Sequence, residues 1–466
     1  MLELRTVLDI DARLAGTLPA GSLYAVGGRV RDEVRSSLDG VPRLAKDLDY
    51  VVTGVSLDDL VERLRRVGRA DVVGASFAVV KCTLDVTTVD VALPRREHST
   101  GLGHREFEVQ WGPGVSLEED LARRDFRMNM MARALPAGTL VDPYEGTADL
   151  VARRIAILRR EAFEEDPLRM LRACQFAARF GFTLSTETLE AMRAAAPLVA
   201  SVSAERVRDE LTKLLEAAER PSVGIELMRE TGLLAYVLPE VAEGIGVSQN
   251  RYHAYDVFVH SLVTLDATPP GDLVLRLSAL LHDVGKPRTK TVEDGEGHFY
   301  RHEVVGEAMA REILERLRFP NGVTTDVARL VRHHMYAADP ELEPRTLRRF
   351  VNRVGLDLME RQFALRHADI AGSGLPERGD GNERFEARVQ AVIAERPPLG
   401  VHDLAIGGAE AIEALVAAGV LPRGSRGGPQ VGRLLGKLLE AVLDAPERNN
   451  RQDLLALAYT TARSTE

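Results

Sequence analysis

VGGRVRD (26–32), followed shortly by KDLDYVV (46–52), is the stretch on which the reading of this chain turns. The first segment joins a β-like run, LYAVGG (23–28), to a helical one, VRDEVRSSL (30–38). Two glycines let the backbone approach an anion closely, and the helix start offers free N–H groups and the positive end of a dipole. Gly28 lies in that turn, and Arg31 adds a cation suited to phosphate. In the second segment Asp47 and Asp49 stand two apart on a predicted strand, so both carboxylates face one side. Two anions held together repel unless a cation joins them, and Mg²⁺ is a hard ion that favours carboxylate oxygens and bridges phosphates. Asp90, in TTVDVAL (87–93), brings a third acid on a later strand. Alone, a glycine pair fits an ordinary strand–helix connection, an Asp-x-Asp pair a solvated strand face, and Asp90 a structural role. Together they suit a two-metal site that activates a hydroxyl and neutralises a triphosphate.

Outward from this core, LDYVVTG (48–54), FAVVKCTL (77–84) and TTVDVAL (87–93) read as strands, and LDDLVERLRRVG (57–68) as a helix. From about Leu150 to Pro239 the pattern is helical throughout, and from 253 to 372 it stays helical but becomes rich in histidine. GSGLPERGDGNE (372–383) reads as a linker and PRGSRGGP (422–429) as a loop in a helical tail. The expected division is a head at 1–153, a helical neck at 154–248, a metal-binding region at 249–372 and a tail at 373–466. A chain of 466 residues that is 45% hydrophobic is long enough for several cores. No run approaches about 18 apolar residues, which argues against a membrane span. Met1 to Gly16 carries charges at Glu3, Arg5, Asp9, Asp11 and Arg13, so it reads as an amphipathic first helix of a cytoplasmic protein and not as a signal peptide. Cys82 and Cys174 are too few for a disulfide framework and read as core residues. A net charge of −10 excludes a uniformly basic surface but leaves room for a local phosphate-binding patch.

Five segments in order resemble the motifs of the class II tRNA nucleotidyltransferase and bacterial poly(A) polymerase family. GGRVRD with DLD resembles motif A; RRDFRMN (123–129) motif B; DPYEGTADL (142–150) motif C; EDPLRMLRACQFA (165–177) motif D; SAERVRDELTKLL (203–215) motif E. The resemblance implies an α/β polymerase-β-like nucleotidyltransferase head followed by an all-α neck, body, HD domain and tail. It implies that Gly28, Arg31 and Arg124, with Arg123 beside it, contact the nucleotide, and that Asp125 orients the ribose or the site. By the same resemblance Asp47 and Asp49 hold Mg²⁺, with Asp90 as third acid. Arg127 and Met128 stand where Thr and Ile are common, away from the proposed ligands. Asp142 and Asp149 read as helix-capping and turn residues at the head–neck junction.

Motif D has its own physical reading. Asp166 before Pro167 fits an N-cap with proline at the first helical position. Arg169 and Arg172 recur at three-residue spacing on one face. In the family such an acid and arginine hydrogen-bond the edge of CTP or ATP, a role that falls here to Asp166 and Arg169, with Arg172 reaching further along. Gln175 stands where many members have another arginine.

His260, His282-Asp283, His302, His333-His334 and Asp369 form an ordered series that resembles the HD phosphohydrolase superfamily. Imidazole and carboxylate ligands suit a divalent transition metal. The resemblance assigns His260, His282, Asp283 and Asp369 to one metal, and His302 with His333 or His334 to a second metal or to substrate phosphate. Gly285 reads as the cap of the His282 helix, and His253, Asp256 and Asp339 as surface polar residues. Arg345, Arg348 and Arg349 are candidates for RNA phosphates, each equally a solvated helix face. VGRLLGKLLEAVLDAPERNN (431–450) resembles family tails that grip the tRNA elbow.

The leading expectation is CTP- and ATP-dependent addition of CCA to the 3′ end of tRNA, with Mg²⁺ in the head, a second divalent metal at the HD site, and no obligate protein partner. The rivals are poly(A), CC-only or A-only addition, a chain that is mainly an HD hydrolase, and a non-catalytic RNA-binding protein. RREHSTGLGHREFEVQWGPG (95–114) lies where family members carry a mobile loop and does not choose among them.

Overall fold

The computed structural model describes residues 8–43, 47–73, 78–99, 107–250, 252–293, 296–375 and 381–465. The first residues of the expected N-terminal helix, Phe77 of the third strand, 100–106 of the loop segment and 376–380 of the linker lie outside them. The chain divides into two compact units, one of 1–242 with 316–318, the other of 243–315 with 319–466.

The first unit opens with α1 (Asp9–Ala15), β1 (Leu23–Val26), α2 (Gly28–Asp39), β2 (Asp49–Val52), α3 (Leu57–Leu64), β3 (Arg69–Val73), β4 (Val79–Leu84) and β5 (Thr87–Ala92). A hairpin of β6 (Arg95–Ser99) and β7 (Phe107–Trp111) follows, then α4 (Leu117–Ala122), β8 (Ala132–Ala134), β9 (Leu140–Val141) and α5 (Gly146–Val151). Seven strands form one sheet in the order β3-β4-β5-β2-β1-β8-β9. Only β2 and β5 pair parallel, and that pairing sets Asp49 opposite Asp90. β2 begins at Asp49, so Asp47 stands in the bend before the strand and not on it. β3, the β6–β7 hairpin and the β8–β9 pair were not expected from the sequence.

The core behind β1 and β2 packs Val26, Val51, Met130 and Ala132 against Leu117 and Leu121 of α4. A capping box starts that helix: Glu119 N–H donates to Ser116 Oγ at 3.2 Å, and Ser116 N–H to Glu119 Oε2 at 2.9 Å. Beside the apolar core lies a buried ionic cluster. Asp11 and Arg133 are 0% exposed and Arg29 3%. Arg29 grips Asp11 through both terminal nitrogens, at 2.8 and 2.6 Å, and the Tyr50 hydroxyl donates to Asp11 at 2.6 Å. Arg133 reaches Glu33 at 3.1 Å and Asp11 at 3.4 Å.

The helical part continues with β10 (Arg154–Ile155), α6 (Ala162–Glu165), α7 (Leu168–Phe180), β11 (Thr183–Leu184), α8 (Thr186–Ala195), α9 (Ala204–Ala217), α10 (Ser222–Thr231), α11 (Leu234–Val237) and α12 (Pro239–Ala242). The short parallel pair β10–β11 interrupts the continuous helical pattern expected here.

The second unit holds α13 (Val257–Asp266), α14 (Leu273–Leu281), α15 (Lys286–Thr289), β12 (Thr291–Glu293), β13 (Glu296–His298), α16 (His302–Arg316), α17 (Asn321–His333), α18 (Pro344–Val354) and α19 (Met359–Gly372). α20 (Gly381–Ala394), α21 (Gly408–Ala417), α22 (Pro429–Asp444) and α23 (Arg451–Thr461) complete it. The β12–β13 hairpin was not anticipated. α20 starts inside the expected linker. Asp256 caps α13, accepting from Val259 N–H at 2.8 Å, so it is a capping residue and not merely surface polarity. Arg345, Arg348 and Arg349 are engaged within the unit: Arg348 donates to the Leu443 and Asp444 carbonyls at the end of α22, Arg349 pairs with Asp444 at 3.0 Å, and Arg345 with Glu343 at 2.6 Å.

Removing one member of a buried ion cluster leaves its partners charged and unpaired, at a cost of about 3–5 kcal/mol. Asp11→Ala is expected to destabilise the first unit on that scale in chemical denaturation. Burial opposes the charge on Asp11, but the Arg29 and Tyr50 hydrogen bonds hold its pKa below the ordinary 3.8. This stabilisation is therefore complete above that value and is lost as pH falls through the lower, folded-state pKa. The variant should accordingly show a weaker acid dependence of stability than the wild type.

Candidate functional site

In the head, the glycine turn, the acids and motif B converge. Gly27, more than Gly28, is the constrained position: its φ is +76°, and a Cβ there would meet Arg124 Nη1 at 3.3 Å and Asp49 Oδ2 at 3.4 Å. α2 begins at the next residue, so its free N–H groups face the same place. Burial raises the pKa of the Asp49 carboxyl; Arg124 opposes this, and Asp90 and Asp47 add to it. Repulsion among three acids around a half-buried carboxylate marks a place where a cation is favoured. Lys81 is 3.9 Å from Asp90.

Asp120, which sequence reasoning missed, organises motif B. It is 0% exposed and binds Arg123 at 2.9 Å and Arg124 at 3.3 Å. The Asp-x-x-Arg-Arg spacing on one helical turn was the available signal. Arg31 is placed differently from expectation. It is 5% exposed, donates to Asn129 Oδ1 at 3.0 Å and to Asp32, and lies over the Phe176 and Phe180 rings at 5.3 and 4.8 Å. It ties α2 to motifs B and D and presents no free fork to a phosphate. Asp142 is the turn residue expected, accepting from Gly146 and Thr147 N–H. Asp149 is not a cap: it is fully buried between Arg127 at 2.7 Å and Arg154 at 2.6 Å.

In the neck, Asp166 and Arg169 are not paired with one another. The Asp166 carboxylate accepts from Leu168 N–H at 3.2 Å, a capping contact, and from Arg206 of motif E at 2.9 Å. Pro167 is itself the cap residue of α7, so the cap falls one residue later than expected. Arg169 donates to the Arg123 carbonyl at 2.6 Å. Arg172 closes on Asp125 at 2.7 Å, and Asn129 donates to the same carboxyl group at 2.8 Å. Arg206 was legible only as part of motif E; what it holds depends on how α7 and α9 pack.

In the second unit, His260, His282, Asp283, His302, His334 and Asp369 come together, while His333 does not join the ligand groups. His253, read as a surface residue, does: His253, His260 and Asp369 form one potential ligand group, His260, His282 and Asp283 a second, and Asp283, His302 and His334 a third. Four imidazoles point Nε2 inward. His260 and His282 approach to 3.0 Å and His302 and His334 to 3.2 Å. Each Nδ1 meets a backbone carbonyl, of Gly372, Ala279, Phe299 and Val331 respectively, at 2.7–3.0 Å. That outer contact fixes the tautomer that leaves Nε2 free to ligate. Asp283 lies between the two pairs: Oδ2 is 3.3 Å from His260 and 3.2 Å from His282, and Oδ1 is 3.3 Å from His302. Both carboxylate oxygens are buried, and neither receives a well-aligned hydrogen bond. The donor set of imidazole nitrogens and carboxylate oxygens therefore fits a divalent cation. Lys286 stands 2.6 Å from Asp283. Burial opposes charge on His282, yet Asp283 and Asp369 hold its pKa up at about 10, so the cluster attracts positive charge. Gly285 does not cap the His282 helix, whose cap is His282 itself; it stands at the N-cap of α15. A Cβ there would run into the His302 carbonyl and the Gly306 backbone, so its absence lets α16 close on the His282-Asp283 turn.

Three families match in succession: "Poly A polymerase head domain" over residues 23–156, "Probable RNA and SrmB-binding site of polymerase A" over 181–245, and "HD domain" over 252–370. The chain is 37% identical over 392 residues to the "Multifunctional CCA protein" of Nitrosococcus oceani, covering 80% of this chain and 92% of that one. It is 38% identical to the protein of the same name from Alkalilimnicola ehrlichii, over 80% and 91% of the two chains. The crystal structure of the Bacillus stearothermophilus CCA-adding enzyme in complex with CTP superposes with a TM-score of 0.65 at 24% identity, over 95% of this chain and 93% of that one, a likeness of fold. No helix among the described residues is long and apolar enough to cross a membrane. The head, neck and HD matches in order, and the identity to relatives over nine tenths of their length, show that this chain belongs to the class II CCA-adding enzyme and poly(A) polymerase family with an HD domain.

Proposed function

We propose that this chain adds C and A residues to the 3′ end of tRNA from CTP and ATP, and that its second unit hydrolyses phosphoesters. The observation that carries the first reading is the register of Asp49 against Asp90 on adjacent strands, beside a Gly27 turn that only glycine fits comfortably and under Arg124. Family membership supports it, as do relatives named for CCA addition. Asp47 and Asp49, with Asp90, would hold Mg²⁺, which when bound lowers the cost of deprotonating the terminal hydroxyl and offsets triphosphate charge. Gly27, Gly28 and the start of α2 receive the phosphates. Arg124 adds a cation there, fixed by Asp120. Arg31 is a positioning residue that holds Asn129 and, through it, Asp125.

Base choice falls to Asp166 and Arg169. Cytosine and adenine both present a donor beside an acceptor on the edge that a carboxylate and a guanidinium can meet. Uracil and guanine present the reverse order and leave buried groups unpaired, at about 1–3 kcal/mol each. Arg206 holds Asp166 in place. In the second unit, His260, His282, Asp283 and Asp369 would hold one divalent metal, and Asp283, His302 and His334 another. Such metals supply Lewis-acid chemistry for phosphoester hydrolysis.

tRNAs ending at the discriminator base, at C and at CC, each given CTP, ATP or both, should receive only the nucleotides that complete CCA; a poly(A) product would overturn the reading. Asp47→Ala and Asp49→Ala are expected to abolish incorporation with the fold intact by circular dichroism. Asp166→Ala, Arg169→Ala and, more mildly, Arg206→Ala should relax CTP and ATP preference over UTP and GTP by roughly tenfold or more. Unchanged selectivity in all three would leave Asp166 with its contact to Leu168 N–H and no part in base choice. In metal titrations Asp283→Ala should remove both ions of the second unit and its phosphohydrolase activity, while nucleotide addition persists.

A further inference from the structure

Four strands of the head's sheet carry one row of residues that runs outward from the glycine turn. Val26 of β1 stands opposite Asp49 of β2, Asp49 opposite Asp90 of β5, and Asp90 opposite Lys81 of β4. Alternation keeps the outer part of the row on the open face. Val80, Cys82, Val89 and Val91, the neighbours of Lys81 and Asp90 along their strands, are buried, while the Lys81 and Asp90 side chains are about half exposed. Lys81 Nζ lies 3.9 Å from Asp90 Oδ1, and among the described residues Asp90 is the carboxylate it pairs with. Asp71, opposite Lys81 on β3, is paired instead with Arg69 at 2.7 Å. So long and exposed an ion pair adds little to stability. A cation in that place also competes with a metal for Asp90. Its use lies on the substrate side, and the order of the row selects the substrate.

In an in-line displacement the attacking and leaving oxygens lie on opposite sides of the phosphorus. The Gly27–Gly28 turn, at the β1 end of the row, takes the leaving pyrophosphate. The α-phosphorus then lies over Asp49, and the attacking 3′-hydroxyl comes from the Asp90 side. Lys81 stands one strand further out, about 4.8 Å beyond Asp90, where the RNA leads away from its reacting end. We propose that Lys81 binds the phosphodiester immediately before the terminal nucleotide of the RNA being extended. This rests on the nucleotidyltransferase reading above. A lysine is a mobile point charge, and a phosphate contact carries no base preference. Both properties suit an acceptor whose terminal base changes as nucleotides are added.

The test uses the full chain and a tRNA acceptor-stem helix ending in C, made either with its natural last phosphodiester or with an uncharged methylphosphonate in that place. Primer dissociation constants are read by fluorescence anisotropy, and CTP kinetics by incorporation. Lys81→Gln should weaken binding of the natural primer about fivefold and make its salt dependence shallower by about 0.7 on log–log axes, the share of one phosphate on a single strand. KM for CTP should stay as in the wild type, and Lys81→Arg should restore most of the primer affinity. The methylphosphonate should cost the wild type about the same factor as the substitution does. In Lys81→Gln it should cost nothing further, since both changes remove one contact. The methylphosphonate measurement on the wild type needs no variant to fold. Primer affinity unchanged in Lys81→Gln, a methylphosphonate that costs the wild type nothing, or losses from the two changes that multiply overturns the inference. So does a variant altered only in saturating at lower Mg²⁺, which makes Lys81 a counter-charge to Asp90. Incorporation at the wild-type rate by Asp49→Ala overturns the nucleotidyltransferase reading itself, and its loss there beside an unaltered Lys81→Gln overturns this inference alone.

Discussion

A carboxylate wholly out of water sits under the head, and the nucleotide site depends on it. Asp11, from the first helix, neutralises Arg29 and Arg133, which come from the helix after the glycine turn and from β8. Tyr50, next to Asp49 on β2, closes the same cluster through its hydroxyl. Low dielectric strengthens each contact and makes any unpaired member costly, so the arrangement is held as a unit. Its consequence is positional: α2, β2 and β8 are fixed relative to one another on the hidden side, which sets Gly27, Asp49 and motif B on the other.

The motif arginines follow a common rule. Arg123 and Arg124 are held by Asp120, Arg127 by Asp149, Arg172 by Asp125, and Arg206 holds Asp166. A long guanidinium side chain loses much rotamer freedom when a ligand immobilises it. Acids that already restrain these side chains reduce that loss on binding, in keeping with a protein-built template for the incoming base.

The two sites solve like-charge repulsion differently. In the head, Asp47 is exposed and Asp49 half-buried, so the acids are open to solvent and the demand for a cation is moderate. In the second unit Asp283 is buried, Asp369 is partly so, and four imidazoles surround Asp283, each oriented by a backbone carbonyl behind it. The first arrangement suits an ion that arrives with a triphosphate; the second suits resident ions.

Short-range pattern was enough for much of this. The strand–turn–helix around Gly27 and Gly28, the paired acids, the ordered His–Asp series and the five motifs are local features, and local features are what a sequence displays. Tertiary packing decided the rest. Asp11 joins a cluster with residues up to Arg133, and no periodicity in a short helix announces that. Arg31 looked like a phosphate ligand by its place after the glycine turn, but Phe176 and Phe180 from α7 cover it. His334 enters the metal cluster and His333 does not, because adjacent residues on a helix point about 100° apart and only the packed face shows which is inward. His253 joined the cluster, and Asp166 met Arg206 and not Arg169, for the same reason: partners distant in the chain are chosen by how helices pack, and spacing along one helix carries no record of it.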